Sequence, residues 1–191
     1  MPYTQAHKNR SRERIIAASR ELFNSRGYLS VSIDEIMKLA GLTRGGFYNH
    51  FRDKEDLLLA SIRAYDDCSP ELEGISFNPD AGPVEAAEQL VEAYLSVQHL
   101  EDIGAHCPLV ALPADSARAG PRVKEAYRRL LDRMTSVFEA ATKNPDTARS
   151  LTSLCVGSML IARTIDDRSH AINVLRSGST QCRTILAGGH S

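Results

Sequence analysis

Residues 32–54 read SIDEIMKLAGLTRGGFYNHFRDK, and the order of caps, apolar positions and glycines in this stretch decides the fold. Ser32 followed by Glu35 has the spacing of a capping box: the serine oxygen accepts from the Glu35 amide while the glutamate reaches back. Ile33, Ile36, Met37 and Ala40 recur at helical spacing and form an apolar stripe. Gly41 stands where a helix ends in the left-handed conformation that glycine adopts without penalty. Thr43 is placed to cap a second helix, whose face carries Arg44, Gly45, Gly46, Tyr48, Asn49 and His50. Two short helices joined by a tight glycine turn are a helix-turn-helix, the arrangement that sets its second helix in the major groove of DNA.

Outward from this stretch the periodicity stays helical, with no clear alternating strand pattern. Residues 1–9 read as an arm. From Ser11 to Arg26 an inner face of Ile15, Ala18, Ser19, Leu22 and Phe23 precedes Gly27, which is placed to end the helix. Asp53 can cap a further helix through Leu57, Leu58, Ile62 and Tyr65. Two prolines, two glycines and acidic side chains mark 68–82 as a connecting loop. Pro83 then opens a helix to about Leu100, and 107–120 holds a helix interrupted or started near a proline. Pro121 opens the clearest amphipathic helix, with Val123, Ala126, Tyr127, Leu130, Met134, Val137, Phe138 and Ala141 on one face. Pro145 opens another, with Leu151, Leu154, Cys155, Met159 and Ala162 inward, and a last helix runs from Ser169 to Leu186. The expectation is an all-α chain of about nine helices: a three-helix head at 1–52 and a larger helical body at 53–191.

The composition permits this division and excludes others. Of 191 residues, 42% are hydrophobic and 25% charged, enough for packed cores in a globular protein. The net charge of −1 hides an asymmetry: residues 1–63 hold 11 basic and 7 acidic side chains (+4), and 64–191 hold 12 and 17 (−5). A basic head on an acidic body suits a nucleic-acid reader. Cys68, Cys107, Cys155 and Cys182 lie far apart without a CxxC pair, which argues against a zinc site and gives no disulfide framework. The N-terminus is polar and basic, unlike a signal peptide. The most apolar window, LCVGSMLIA at 154–162, is too short to span a bilayer. A cytoplasmic protein without membrane contact is expected. No Gly-rich phosphate loop, metal-spaced histidine cluster or nucleophile with a base beside it appears, so neither an enzyme nor a cofactor is expected.

Three segments, RIIAASRELFNSRGY at 14–28, VSIDEIMKLAGLTRGGFYNHF at 31–51 and KEDLL at 54–58, resemble the TetR family of bacterial transcriptional regulators. They cover about a quarter of the chain and agree in order, spacing and residue type. HCPLVALPADSARAGPRVKEAY at 106–127 looks like one branch of the family's regulatory domains. The resemblance implies that Ser32 caps the first motif helix where its amide end can meet a phosphate. Thr43, Arg44, Gly45 and Gly46 begin the recognition helix, Tyr48, Asn49 and His50 continue its exposed side, and Lys54 is the usual phosphate contact. Phe47 and Phe51 face inward. Gly46 is a departure, since many relatives carry a larger residue there, and each glycine inside a helix costs about 1 kcal/mol. Chemically, Lys54, Tyr48, His50 and the Thr43 hydroxyl suit phosphate oxygens, while Arg44 can reach guanine and Asn49 adenine. Lys8, Arg10, Arg12 and Arg14 could add backbone or minor-groove contacts.

For the body, the resemblance implies a ligand cavity and a two-fold dimer. Tyr65, Tyr94, His99, Cys107, Tyr127, Met134 and Phe138 are candidate linings for a small-molecule effector. In the last two helices apolar residues surround more than one face, which calls for more than one neighbour. Leu154, Met159, Ile161, Ile172, Leu175 and Ile185 are therefore candidates for pairing with a second copy. A homodimer carries two recognition helices and matches a palindromic operator in double-stranded DNA. The function implied is a sequence-specific regulator, a repressor released by an effector. Three alternatives remain: redox or electrophile sensing through Cys107, which His99 and His106 precede, a helical adaptor whose head binds protein, and an architectural, non-specific DNA binder.

Overall fold

The computed structural model describes residues 5–68, 82–105 and 107–188, and every regular element among them is helical. In chain order these are α1 (Gln5–Arg26), α2 (Ile33–Leu39), a 3-10 helix (Arg44–Asn49), α3 (Lys54–Cys68), α4 (Pro83–Tyr94) and α5 (Val97–Glu101). There follow a short 3-10 helix (Ile103–Ala105), α6 (Pro108–Ala111), α7 (Pro113–Arg118), α8 (Pro121–Thr142), α9 (Pro145–Ala162) and α10 (Arg168–Gly188). Most of the expected connecting loop, and His106, lie outside the described residues.

Several boundaries differ from the expected ones for local reasons. Residues 5–9, expected as part of an arm, are already helical, with Gln5 donating to Asn9 across one turn at 3.1 Å. The helix expected from Pro83 to about Leu100 is two helices. Ser96 is extended and its hydroxyl accepts from the His99 amide, so it starts a new helix instead of continuing the old one. The 107–120 segment, by contrast, is interrupted near a proline as expected, because Leu112 precedes Pro113 and is driven from the helical region. Pro145 does open its helix, capped by the Asn144 side chain, which accepts from the amides of Asp146 and Thr147.

The chain packs as two compact units, Met1–Cys68 with Ile103–Tyr127, and Ser69–Asp102 with Arg128–Ser191. The first packing unit therefore extends past residue 52 through α3 and recruits a segment from later in the chain. Ile15, Phe23, Ile36, Met37, Phe47, Phe51, Leu57, Leu58 and Ile62 are its buried core. Ser19 and Ser61 meet there with hydroxyls 2.6 Å apart, and each also bonds a carbonyl of its own helix. Asn24 donates to the Gly104 carbonyl at 3.1 Å, which fastens the later segment to α1.

In the second unit α9 and α10 form a close hairpin. Leu151, Cys155, Met159 and Ala162 of α9 and Ala171, Leu175, Cys182 and Leu186 of α10 are buried. A Cβ at Gly178 would fall 2.3 Å from the Ser158 hydroxyl, so the approach depends on a glycine. The Cys155 and Cys182 sulfurs touch at 3.7 Å as thiols.

Candidate nucleic-acid interface

The first motif helix is fixed at both ends. Ser32 is extended, its hydroxyl accepts from the Glu35 amide at 3.2 Å, and its own amide donates to the Glu35 carboxylate at 2.8 Å. The Ser32 hydroxyl, the Ser32 amide and Arg26 together hold the Glu35 carboxyl down at about 2. The capping box thus forms as the sequence indicates. It also means that Glu35 occupies the Ser32 amide, at the helix end that the family resemblance offers to a phosphate. At the other end Gly41 takes φ +65°. Its amide donates to Lys38 and that of Leu42 to Met37, the paired bonds of a Schellman motif.

The second motif element is weaker. Arg44–Asn49 is a 3-10 helix rather than an α-helix, and Thr43 stands at its N-cap without a side-chain capping bond. Two adjacent glycines account for this, since they make regular helix unfavourable. A Cβ at Gly45 would meet nothing within 4 Å, and one at Gly46 only the Met37 methyl at 3.6 Å and the Thr43 hydroxyl at 4.0 Å. Phe47 and Phe51 are buried and anchor the turn, with ring centroids 5.6 Å apart. Tyr48, 61% exposed, and Asn49 point away from the core. Arg44 is also exposed and pairs with Asp34 of α2 at 3.0 Å. His50 is half-buried. Burial, and then Lys8 and Arg12, depress its pKa, so it is a neutral imidazole near pH 7. Of the arm residues, Arg12 lies over the Phe51 ring at 4.5 Å.

Lys54 sits in a cradle that the sequence did not indicate. Its ammonium donates to the Val31 carbonyl at 2.7 Å and lies 4.3 Å from the centre of the Tyr28 ring. Burial lowers its pKa while Asp115 and Glu35 oppose that. Tyr28 is held in turn by Phe23, edge-on at 5.4 Å, and by Asp115 of α7, whose carboxylate accepts from the Tyr28 amide at 3.1 Å. Tyr28 belongs to a quoted motif, yet only its proximity to Lys54 in space gives it this role. Asp115 lies 87 positions away along the chain.

The candidate ligand linings fall in both units. Tyr65, Cys107 and Tyr127 belong to the first, and Tyr94, His99, Met134 and Phe138 to the second. Tyr127 donates to the Leu109 carbonyl at 3.0 Å, and burial, followed by Cys107, pushes its phenol up to about 12. Cys107 is 2% exposed, a setting in which a thiol is inert rather than a sensor. Tyr94 and His99 pack edge to face at 4.9 Å, with His99 Nδ1 2.8 Å from the Tyr94 carbonyl. Tyr65, Met134 and Phe138 are buried. A groove of about 300 Å³ beside α10 is lined by Glu92, Leu95, Val97, Ile172, Arg176 and Arg183 among others, and includes none of these seven. No group of three or more potential metal ligands occurs among the described residues.

The dimer candidates divide as well. Met159 and Leu175 are packed inside their own chain, at 0% and 2% exposure, so in this conformation they have no surface to offer a partner. Helical spacing placed them on an apolar face without showing that the α9–α10 hairpin already covers it. Ile161 is exposed, and Leu154, Ile172 and Ile185 are half-buried.

A capped helix, a Schellman turn and an exposed, weakly structured second element on a buried aromatic anchor define a helix-turn-helix head. A model of the family described as "Bacterial regulatory proteins, tetR family" matches residues 15–61. TtgW of Pseudomonas putida, an uncharacterized HTH-type transcriptional regulator, is 35% identical over 96 residues, 50% of this chain and 69% of that one. The HTH-type transcriptional regulator UidR of Escherichia coli is 28% identical over 166 residues, covering 80% of this chain and 79% of its own. The chain spans 24% and 43% of the length of two further curated regulators that it matches. A TetR transcriptional regulator from Chloroflexus aurantiacus shares the fold, with a TM-score of 0.77 at 22% identity over 96% of this chain and 97% of that one. The chain belongs to the TetR family of bacterial transcriptional regulators. No helix among its described residues is long and apolar enough to cross a membrane.

Proposed function

We propose that the protein is a homodimeric cytoplasmic repressor that reads a palindromic operator and is released from it by a small, partly apolar effector. The observation that carries this reading is the exposed Arg44–His50 turn beside a Lys54 ammonium fixed on Val31 and Tyr28. Arg44 and Asn49 read bases, while Thr43, Tyr48, His50 and Lys54 bind phosphates. The Arg44–Asp34 pair is a surface ion pair worth under about 1 kcal/mol, so a guanine can displace Asp34. Gly45 and Gly46 let the backbone come close to the duplex. Exposed Leu160 and Ile161, with half-buried Leu154, Ile172 and Ile185, supply an apolar face for a second copy.

Release requires that the effector favour a conformer in which α3 no longer presents Lys54 and the turn to DNA. Moving such an equilibrium from 1:99 to 99:1 takes about 5.5 kcal/mol of differential affinity. The test is selection of bound sequences from a random duplex library at physiological salt. An enriched palindrome is expected; a folded protein that enriches nothing contradicts the reading. An adaptor head that binds protein would show none of the steep salt dependence that phosphate contacts impose.

A further inference from the structure

We infer that Asp115, outside the helix-turn-helix, is a positioning residue for the Lys54 phosphate contact, acting through the Tyr28 ring. The inference rests on the DNA-binding reading above. Asp115 is in the first turn of α7 and its side chain is only 13% exposed. One carboxylate oxygen accepts from the Tyr28 amide at 3.1 Å, directly after the Gly27 turn, where φ is +77°. That bond sets where the chain leaves the turn, and the Phe23 edge contact sets the ring plane. Lys54 is then confined between the ring at 4.3 Å and the Val31 carbonyl at 2.7 Å. A lysine ammonium has three donors. Val31 takes one, and the half-buried ammonium keeps others for a phosphate oxygen. A side chain ordered in advance loses less freedom on binding.

Simple electrostatics predicts the opposite of positioning. Asp115 is an anion close to a phosphate contact, and it also pairs with Arg118 at 3.7 Å. Removing it raises the local positive charge and frees a guanidinium, so a purely electrostatic role means that Asp115→Ala tightens DNA binding. Positioning means that it weakens binding. The sign decides between them.

The experiment is fluorescence anisotropy of the full-length protein with a labelled mixed-sequence duplex over a range of salt. Phosphate contacts dominate such binding, and each one lost makes the slope of log K against log salt shallower by about 0.9. Lys54→Ala is expected to lose that slope for each head engaged. Asp115→Ala is expected to lose the same slope and to bind about tenfold more weakly at low salt. Asp115→Asn, which keeps an acceptor for the Tyr28 amide, retains the wild-type slope. Adding Asp115→Ala to Lys54→Ala changes nothing further. Tighter binding or an unchanged slope for Asp115→Ala overturns the inference. If that variant fails to fold, Tyr28→Leu removes the ring while leaving the Asp115 bond, and an unchanged slope there overturns it equally. Absence of salt-dependent duplex binding by the wild-type protein would reject the DNA-binding reading itself, a result separate from failure of the variants alone.

Discussion

The two elements of the helix-turn-helix are built in opposite ways. Helix α2 has seven residues, a complete capping box, a Schellman stop and two buried side chains, Ile36 and Met37. The Arg44–Asn49 turn has six residues, no side-chain cap, two glycines and one buried side chain, Phe47. Local interactions determine α2, whose two ends are closed by its own neighbours. The second element is determined from outside, by Phe47 and Phe51 packed into the core. The difference separates two demands. The supporting helix needs a fixed place, whereas the reading element needs side chains held to their own chain only by weak surface contacts, as Arg44 is to Asp34.

The largest expected effect breaks the turn's anchor. Phe47→Ala removes a fully buried ring and is expected to destabilise the first unit by about 3–5 kcal/mol. Thermal unfolding followed by circular dichroism would register it, and a shift no larger than that of a surface substitution would contradict the anchoring role. Arg44→Ala tests the exposed side of the same turn. It should leave stability unchanged and cost about 1–3 kcal/mol in discrimination at one base pair. Titration against single-base operator variants measures this, and equal weakening on every sequence would reassign Arg44 to phosphate.

Ser32→Ala acts on the other element and is expected to lower stability by about 1 kcal/mol through the missing cap. The capping box also carries a pH signature. Because the folded-state pKa of Glu35 is depressed to about 2, its contribution is complete above the ordinary carboxylate range and is lost as pH falls toward that value. Glu35→Gln should flatten this acid limb in a pH series of melting temperatures. Smallest is Gly45→Ala, which meets no neighbour and should stabilise the turn by up to about 1 kcal/mol. If the backbone must approach DNA there, the same variant binds its operator more weakly, and unchanged affinity would remove that role from Gly45.

Local chemistry made α2 legible from sequence. Ser32, Glu35 and Gly41 are within a few positions of the groups they satisfy, and the apolar spacing gave Ile36 and Met37 their inward direction, while that of Phe47 and Phe51 came from the family resemblance. The break at Ser96 was missed because periodicity continued across it while a cap redirected the backbone, whereas the one at Pro113 was announced by its proline. Met159 and Leu175 show another limit: an apolar face is visible in sequence, but the helix that covers it is not. The Lys54 cradle was illegible for a third reason. Its parts, Tyr28, Val31 and Asp115, are joined only by tertiary contact, and an aspartate in a short proline-started helix looks like any exposed acid.

The bonds from Asn24 to Gly104 and from Tyr28 to Asp115 bear on how such a protein could be recombined with its relatives. A cassette cut at residue 52, or even at 68, would separate the reading head from a buttress supplied by 103–127. A chimera joined at either point should fold its motif helices and yet lose grip on DNA, whichever operator the transplanted turn prefers. The unit that can be exchanged is discontinuous, so operator preference in this chain would be transferred by replacing surface side chains of the turn rather than by swapping the N-terminal block.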